Sequence, residues 1–334
     1  MSGADPSGGN RVVPPGARPL ALVGTTASGK SALAMALARR RGDVELVSVD
    51  SMQVYRGMDI GTAKATAAER AEVRHHVLDV VDPWEPFEVH SFQAEVAAAL
   101  ADIHRRGRHP VLVGGTGLYL RAVVDGLEIP GRYPEARREV EAEPDTAALH
   151  ARLRALDPVA ADRTEPGNRR RIVRALEVTL GSGRPFSSYG PGLDRYGDTP
   201  VELVAVRLDP AVVAARIEAR YHRQMGDGFL DEVRRLAAGP PAGTLPPGEP
   251  PLSHTAAQAL GYRELLDHLR SEAGDQDAPS LDQALDEAVR RTRHFARRQR
   301  AWFRRDPRIA WLGDDRDPIA ALPELERRAA ARWD

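Results

Sequence analysis

Residues 24–31 read GTTASGKS, a complete G-x-x-x-x-G-K-S phosphate-binding loop. Its surroundings fix what the chain can fold into. Leu20, Ala21, Leu22 and Val23 form a short apolar run that enters the loop as a buried strand. Ser31–Arg39 leaves it as a helix with Leu33 and Leu37 on one face. Gly24 and Gly29 free the backbone to wrap Thr25, Thr26, Ala27 and Ser28 around phosphate oxygens, and the helix N-terminus adds a favourable dipole. Lys30 supplies a point charge to the terminal phosphate, and Ser31 a hydroxyl for Mg²⁺. The plain alternative, a glycine-rich turn without a ligand, fits the strand–loop–helix context poorly. A diphosphate or triphosphate is the expected ligand.

The chain has 334 residues, enough for one large α/β domain with an insertion, or for two domains. It has no cysteine, which excludes disulfides, thiolate zinc sites and a cysteine nucleophile, and fits a reducing cytosol. No run of about 18 apolar residues is present, so no transmembrane helix is expected. Residues 1–18 are rich in Gly, Pro and Ser and read as a disordered tail rather than a signal peptide. A cytoplasmic protein is expected, and nothing demands more than a monomer. The net charge is −1. Because the composition favours arginine over lysine throughout, only clustered arginines carry weight.

Four apolar runs read as parallel strands: Pro19–Val23, Val44–Val49, His109–Val113 and Val201–Leu208. Helical patterns at Ser31–Arg40 and Phe92–Arg106 separate them. The rhythm predicts an α/β fold, a P-loop NTPase-like parallel sheet with helices on both faces. Between residues 125 and 200 the strand signal disappears, and Glu135–Glu141, Thr146–Leu156, Pro158–Arg163 and Asn168–Gly181 read as helices. This stretch is expected to be an all-helical insertion, with 19–124 and 201–334 forming the core. Helices return at Pro210–Met225 and Phe229–Ala238. Nine of the thirteen residues 239–251 are Pro or Gly, marking a loop. Ser280 and Gln283 form a capping box that opens a long helix running to about Arg304.

Asp50 ends the second strand, at the sheet edge where parallel sheets bind ligands. It could hold Mg²⁺ through water or take a proton from a nucleophile; equally, Asp50-Ser51 could cap the next segment. The continuation through Gln53, Tyr55, Arg56 and Asp59 favours the site. The third strand ends in Gly114-Gly115-Thr116 and not in an acid, which weakens a motor or switch-ATPase reading. Gly114, Gly115 and Gly117 imply backbone passing close to something, or a tight turn. Arginines cluster at 169–174 and again at 290–308, the second set interleaved with Phe295, Trp302 and Phe303. The second set suits phosphate-backbone contact and a solvated helical face equally, while the motif context of the first favours contact. His75, His76 and His254 lack partners at metal spacing, so zinc is not expected.

Together these strings resemble the bacterial tRNA dimethylallyltransferase (tRNA isopentenyltransferase) family. They are GTTASGKS at 24–31, DSMQVYRGMDIGTAKA at 50–65, HHVLDVVDP at 75–83, VGGTGLY at 113–119, NRRRIVRALEV at 168–178, GFLDEV at 228–233, ALGYRE at 259–264 and RHFARRQRAWFRRD at 293–306. Thr25 departs from the usual proline, and the 239–251 loop is expanded. The resemblance implies transfer of a dimethylallyl group from dimethylallyl diphosphate to N6 of the adenine on the 3′ side of the anticodon. The phosphate loop then holds a leaving group. Lys30 and Ser31-bound Mg²⁺ would stabilise it with help from Arg220, Asp50 would act as general base, and Thr116 would line the reaction channel. Contacts to the tRNA anticodon stem–loop are implied at Asp50, Ser51, Met52, Gln53 and Thr116, at Arg170, Arg171 and Arg174, and at Gln258, Gly261, Tyr262 and Arg263. No membrane and no obligate protein partner are implied. Two other readings remain: a nucleoside or small-molecule kinase using the same loop and Asp50, and an RNA-binding protein with a degenerate nucleotide-binding core.

Overall fold

A computed structural model of the chain describes residues 12–334 other than 191, 194, 242 and 247. Six parallel strands are hydrogen-bonded in the order β3-β2-β4-β1-β5-β6. They are β1 (Leu20–Val23), β2 (Val44–Val49), β3 (His75–His76), β4 (His109–Gly114), β5 (Glu202–Leu208) and β6 (Ala310–Asp315). The four strands expected from apolar runs are present within a residue of their predicted bounds. Two were not foreseen. β3 has only two residues and shows no periodicity, and Gly313 and two acids interrupt the apolar signal of β6.

Alternation along each strand sends side chains to two separate cores. Ala21 and Val23 face one, with Phe92, Leu100 and Ile217; Leu20 and Leu22 face the other, with Leu33, Leu37 and Leu325. Helices Val89–Arg105, Pro210–Gly226 and Leu281–Phe303 therefore cover one face of the sheet, while Lys30–Arg41 and Leu322–Trp333 cover the other. The long helix opens on the predicted capping box, with Ser280 Oγ accepting from the Gln283 amide.

The chain divides into two compact units. One is formed by Val12–Val124 with Asp198–Asp334 and contains the sheet; Asp125–Gly197 makes up the described part of the other. This second unit is helical, with its own core of Val140, Leu149, Leu153, Ile172 and Leu176.

The expected tail needs correction over part of its length. Residues 1–11 lie outside the described residues, but Val12, Val13 and Ala17 are buried in the sheet unit's core. The Arg18 carbonyl accepts from Trp333 Nε1 at 2.7 Å, stitching this segment to the last helix. Two adjacent valines and an alanine offer enough apolar area to dock a short ribbon that composition alone marks as loop.

β2 and β4 pair through Val49 and Gly114 at their carboxyl ends. A Cβ on Gly114 would collide with the Val49 carbonyl oxygen, so only glycine fits the two backbones at this spacing. Gly114→Ala should therefore cost about 2 kcal/mol or more, read as a lowered denaturant midpoint; an unchanged midpoint would show that the strands can separate freely.

Candidate active site

Three neighbouring strands, β2, β4 and β1, deliver the chemistry-bearing residues to one edge of the sheet. β1 feeds the phosphate loop. Within it Ala27 (φ 60°) and Gly29 (φ 83°) both take left-handed backbone. For Ala27 that conformation costs about 1–3 kcal/mol and persists only where the surroundings enforce it. Gly29 packs where a Cβ would strike the Pro318 ring. The loop is thus clamped from outside.

Lys30 opens the helix after the loop and donates from Nζ to the Thr25 carbonyl at 3.3 Å. Burial pushes its ammonium down to about 8; Asp50 opposes the shift, and Arg220 adds to it. Arg220, from the helix Pro210–Gly226, donates to Thr26 Oγ1 at 2.9 Å and is itself lowered chiefly by burial. Asp50 is thus close enough to both cations to act on them. Two polar atoms here, Ser28 Oγ and Arg220 Nε, are buried with no hydrogen-bond partner. Buried polar groups are nearly always satisfied, so this pair marks a place for an acceptor-rich ligand. Ser31 is exposed at the mouth of the same helix.

At the end of β2, Asp50 Oδ1 accepts the Met52 amide at 2.8 Å. The Ser51 amide reaches Thr116 Oγ1, in the turn after β4, at 3.4 Å. Asp50, Thr116 and the phosphate loop therefore lie together at one sheet edge. Gln53 turns inward instead: its Oε1 accepts from Ser48 Oγ at 2.8 Å and its Nε2 donates to the Thr62 carbonyl at 3.1 Å. Met52 packs partly into the core.

The remaining candidates separate into surface and scaffold. Gln258 and Arg263 are exposed and bonded to each other at 3.0 Å. Gly261 and Tyr262 were expected to meet RNA, yet both are buried. The Tyr262 hydroxyl donates to Glu232 at 2.5 Å, and burial raises the phenol well above its usual range, so it stays a donor. Tyr262 lies beneath residues 59–61, whose amides the same Glu232 accepts. In the helical unit the basic cluster splits likewise. Arg174 is tied to buried Glu177 at 2.7 Å and to the Pro130 carbonyl, and Arg169 to the carbonyls of Glu141, Glu143 and Pro144. Arg170 and Arg171 are exposed and unpaired among the described residues.

Along the helix Leu281–Phe303, Arg290, Arg291 and Arg293 are engaged by Glu287, Glu264 and Glu218. Arg293 also lines, with Arg297, Arg300 and Arg304, a cavity of about 840 Å³ that includes Thr25, Val206, Leu208, Ile217 and Trp311 in its wall. Sequence reasoning passed over Glu232 and Gln299. Glu232 accepts the amides of Asp59, Ile60 and Gly61 at 2.8–3.2 Å. Gln299 bonds both the phosphate loop and the turn after β4. The available signal was positional, since Gln299 shares the buried helical stripe of Thr292, Ala296 and Phe303.

Fold and site define a P-loop-like α/β protein in which a carboxylate and a hydroxyl stand beside the glycine loop. The comparisons narrow the class. The family model described as IPP transferase matches residues 53–306, and that described as isopentenyl transferase matches residues 18–81. The tRNA dimethylallyltransferase of Salinispora arenicola is 48% identical over 94% of this chain and 87% of its own. That of a Nocardioides species is 47% identical over 90% and 92%. Among solved structures, the tRNA isopentenylpyrophosphate transferase of Bacillus halodurans superposes with a TM-score of 0.64 at 35% identity, covering 95% of this chain and 96% of that one. A eukaryotic dimethylallyltransferase acting on tRNA gives 0.70 at 26% identity, over 94% and 78%. The chain belongs to the IPP transferase family, the tRNA dimethylallyltransferases.

If the loop holds an anion through Lys30, Lys30→Ala should weaken binding of inorganic diphosphate. The loss expected for one charged hydrogen bond is about 1.5–3 kcal/mol, about tenfold or more in affinity. Titration calorimetry reads this directly, and an unchanged affinity would place the anion elsewhere.

Proposed function

We propose that the protein transfers the dimethylallyl group of dimethylallyl diphosphate to N6 of the adenine on the 3′ side of the anticodon in tRNA. The observation that carries this reading is the convergence of Asp50, Thr116 and the Lys30 loop on one sheet edge. The N6 nitrogen attacks the first carbon of the allyl group, and the carbon–oxygen bond to diphosphate breaks. Asp50 takes the proton that N6 loses, and diphosphate leaves with the bonding electrons.

Charge grows on the departing diphosphate, and the groups around it are arranged for that. The loop amides, Lys30 and Arg220 would stabilise it where burial strengthens each interaction. The orphaned Ser28 Oγ and Arg220 Nε are consistent with an oxygen-rich guest. The arginine rim of the neighbouring cavity gives an anionic donor an electrostatic approach.

Mg²⁺ fits the donor set. Ser31 offers an exposed hydroxyl, Asp50 stands near Lys30, and Mg²⁺ favours phosphate and water oxygens over an all-protein cage. Among the described residues no cluster of three His, Asp or Glu side chains could hold a metal alone. Ser31 would ligate the ion directly and Asp50 through water; the ion would add positive charge beside the leaving group. Thr116 would line the path between adenine and allyl group.

Arg170 and Arg171 are free to meet RNA phosphates, while Gln258 and Arg263 are exposed for further contact. Among the described residues no helix is long and apolar enough to cross a membrane. With tRNA as substrate, we place the protein in the cytoplasm, with no protein partner required.

Two experiments test the reading. With Mg²⁺, labelled dimethylallyl diphosphate and an anticodon stem–loop, label should enter the RNA carrying the target adenine and not one carrying guanine there. Asp50→Ala should abolish the transfer while keeping RNA affinity within about tenfold. No label in either RNA, with ATP consumed on small hydroxyl acceptors, would favour a kinase. For RNA docking, Arg170→Ala with Arg171→Ala should reduce the slope of log affinity against log salt by up to about two. An unaltered slope would remove this helix from the interface.

A further inference from the structure

Strands β1 and β4 are neighbours in the sheet, but their loops run on past its edge. One loop cradles the anion and the other carries Thr116, so the transfer reaction requires a fixed distance between them. A single side chain spans the two. Gln299 is 7% exposed on the helix Leu281–Phe303. Its Oε1 accepts the Thr26 amide at 2.8 Å, and its Nε2 donates to the Gly115 carbonyl at 2.8 Å.

The local sequence is shaped around this amide. A Cβ on Gly115 would stand 2.5 Å from Gln299 Nε2, and one on Gly117 would strike the Trp302 indole. Trp302 lies three residues beyond Gln299 on the same helix. The glycines after β4 thus let the Thr116 turn lie flat against the helix that carries the bridge. The chemistry of the bridge is also narrow. One end must accept an N–H and the other must donate to a carbonyl; a neutral carboxamide or a protonated carboxyl of this length does both, and a carboxylate cannot.

We propose that Gln299 is a positioning residue for prenyl transfer: it holds the diphosphate cradle in register with the turn bearing Thr116 beside Asp50. The proposal rests on the reading of the phosphate loop as the donor site. It assigns Gln299 no contact with either substrate. Displacing reacting groups by about an ångström costs up to about 100-fold in rate, and a broken bridge acts through such displacement.

Steady-state transfer kinetics on Gln299→Ala and Gln299→Glu, with RNA affinity measured alongside, test it. Gln299→Ala should lower kcat by about 10- to 100-fold with RNA affinity held within about twofold. Gln299→Glu carries its own control. As a carboxylate it repels the Gly115 carbonyl; once protonated it again donates there and accepts from Thr26. Burial and the facing carbonyl raise its carboxyl pKa, so the ratio of its kcat to wild type should climb as pH falls from about 8 to about 6. That ratio needs no comparison of stability between proteins and remains readable if Gln299→Ala folds poorly. A pH-independent ratio, a Gln299→Ala kcat within about twofold of wild type, or a loss confined to RNA affinity overturns the proposal. Wild-type protein with no transfer activity would instead sink the functional reading beneath it.

Discussion

The contact between the Val49 and Gly114 backbones is the constraint on which the site depends. Side-by-side strands sit about 4.8 Å apart, and the residues following them inherit that spacing unless a side chain intervenes. Removing the Cβ at position 114 removes the obstacle. Asp50 and Thr116 then emerge as neighbours, and the Ser51 amide can reach the threonine hydroxyl. On the other side β4 pairs with β1, ending in the register Val23–Gly114. The same glycine therefore stands between the carboxylate strand and the phosphate strand. Its lack of a Cβ permits the close approach to Val49, while the ladder with β1 fixes the other distance.

Beyond β2 the chain runs through residues 51–65 without helix or strand, and buried charges hold it. Glu232 gathers three consecutive amides and the Tyr262 hydroxyl; Lys64 meets Asp59 at 2.5 Å, Asp79 at 2.6 Å and the Tyr55 carbonyl at 2.8 Å. A buried charge is costly unless fully satisfied, and each of these is surrounded by partners. Satisfied networks of this kind fix one conformation for a segment whose sheet-like pairing, among the described residues, is limited to a bridge between Tyr55 and Val81. Phe229 and Tyr262 complete the support, meeting edge-on beneath Gly61.

Local features of the sequence were the readable ones. β1 and its glycine loop announce themselves because a strand, a turn and a helix follow within about twenty residues, each with its own signature. The capping box at Ser280 was likewise local. What escaped depends on partners distant in sequence. Tyr262 looks like a surface contact within ALGYRE, and only the fold, by bringing Glu232 beneath it, turns it inward. Arg174 reads as one of a row of cations, yet it is taken by Glu177 on its own helix, while Arg170 and Arg171 remain outside. Val12 and Val13 were hidden among glycines and prolines; the sheet unit supplies the apolar surface that orders them. Gln299 stood within a run of arginines that drew attention to charge, while its burial follows from helical phase.

Lys30 has a consequence of another kind. Its proton is held only to about pH 8, because the cradle withdraws it from water and Arg220 adds like charge nearby. A polyanion of the kind proposed for the loop would reverse that balance and pull the lysine back toward its ordinary, more basic range. The two equilibria would be linked, so in mildly alkaline solution each such ligand would bring a fraction of a proton with it from the buffer. The heat of that binding would carry a share of the buffer's own ionisation enthalpy. Release would return the fraction, making the filling and emptying of the loop a small, reversible exchange of acid with the solvent.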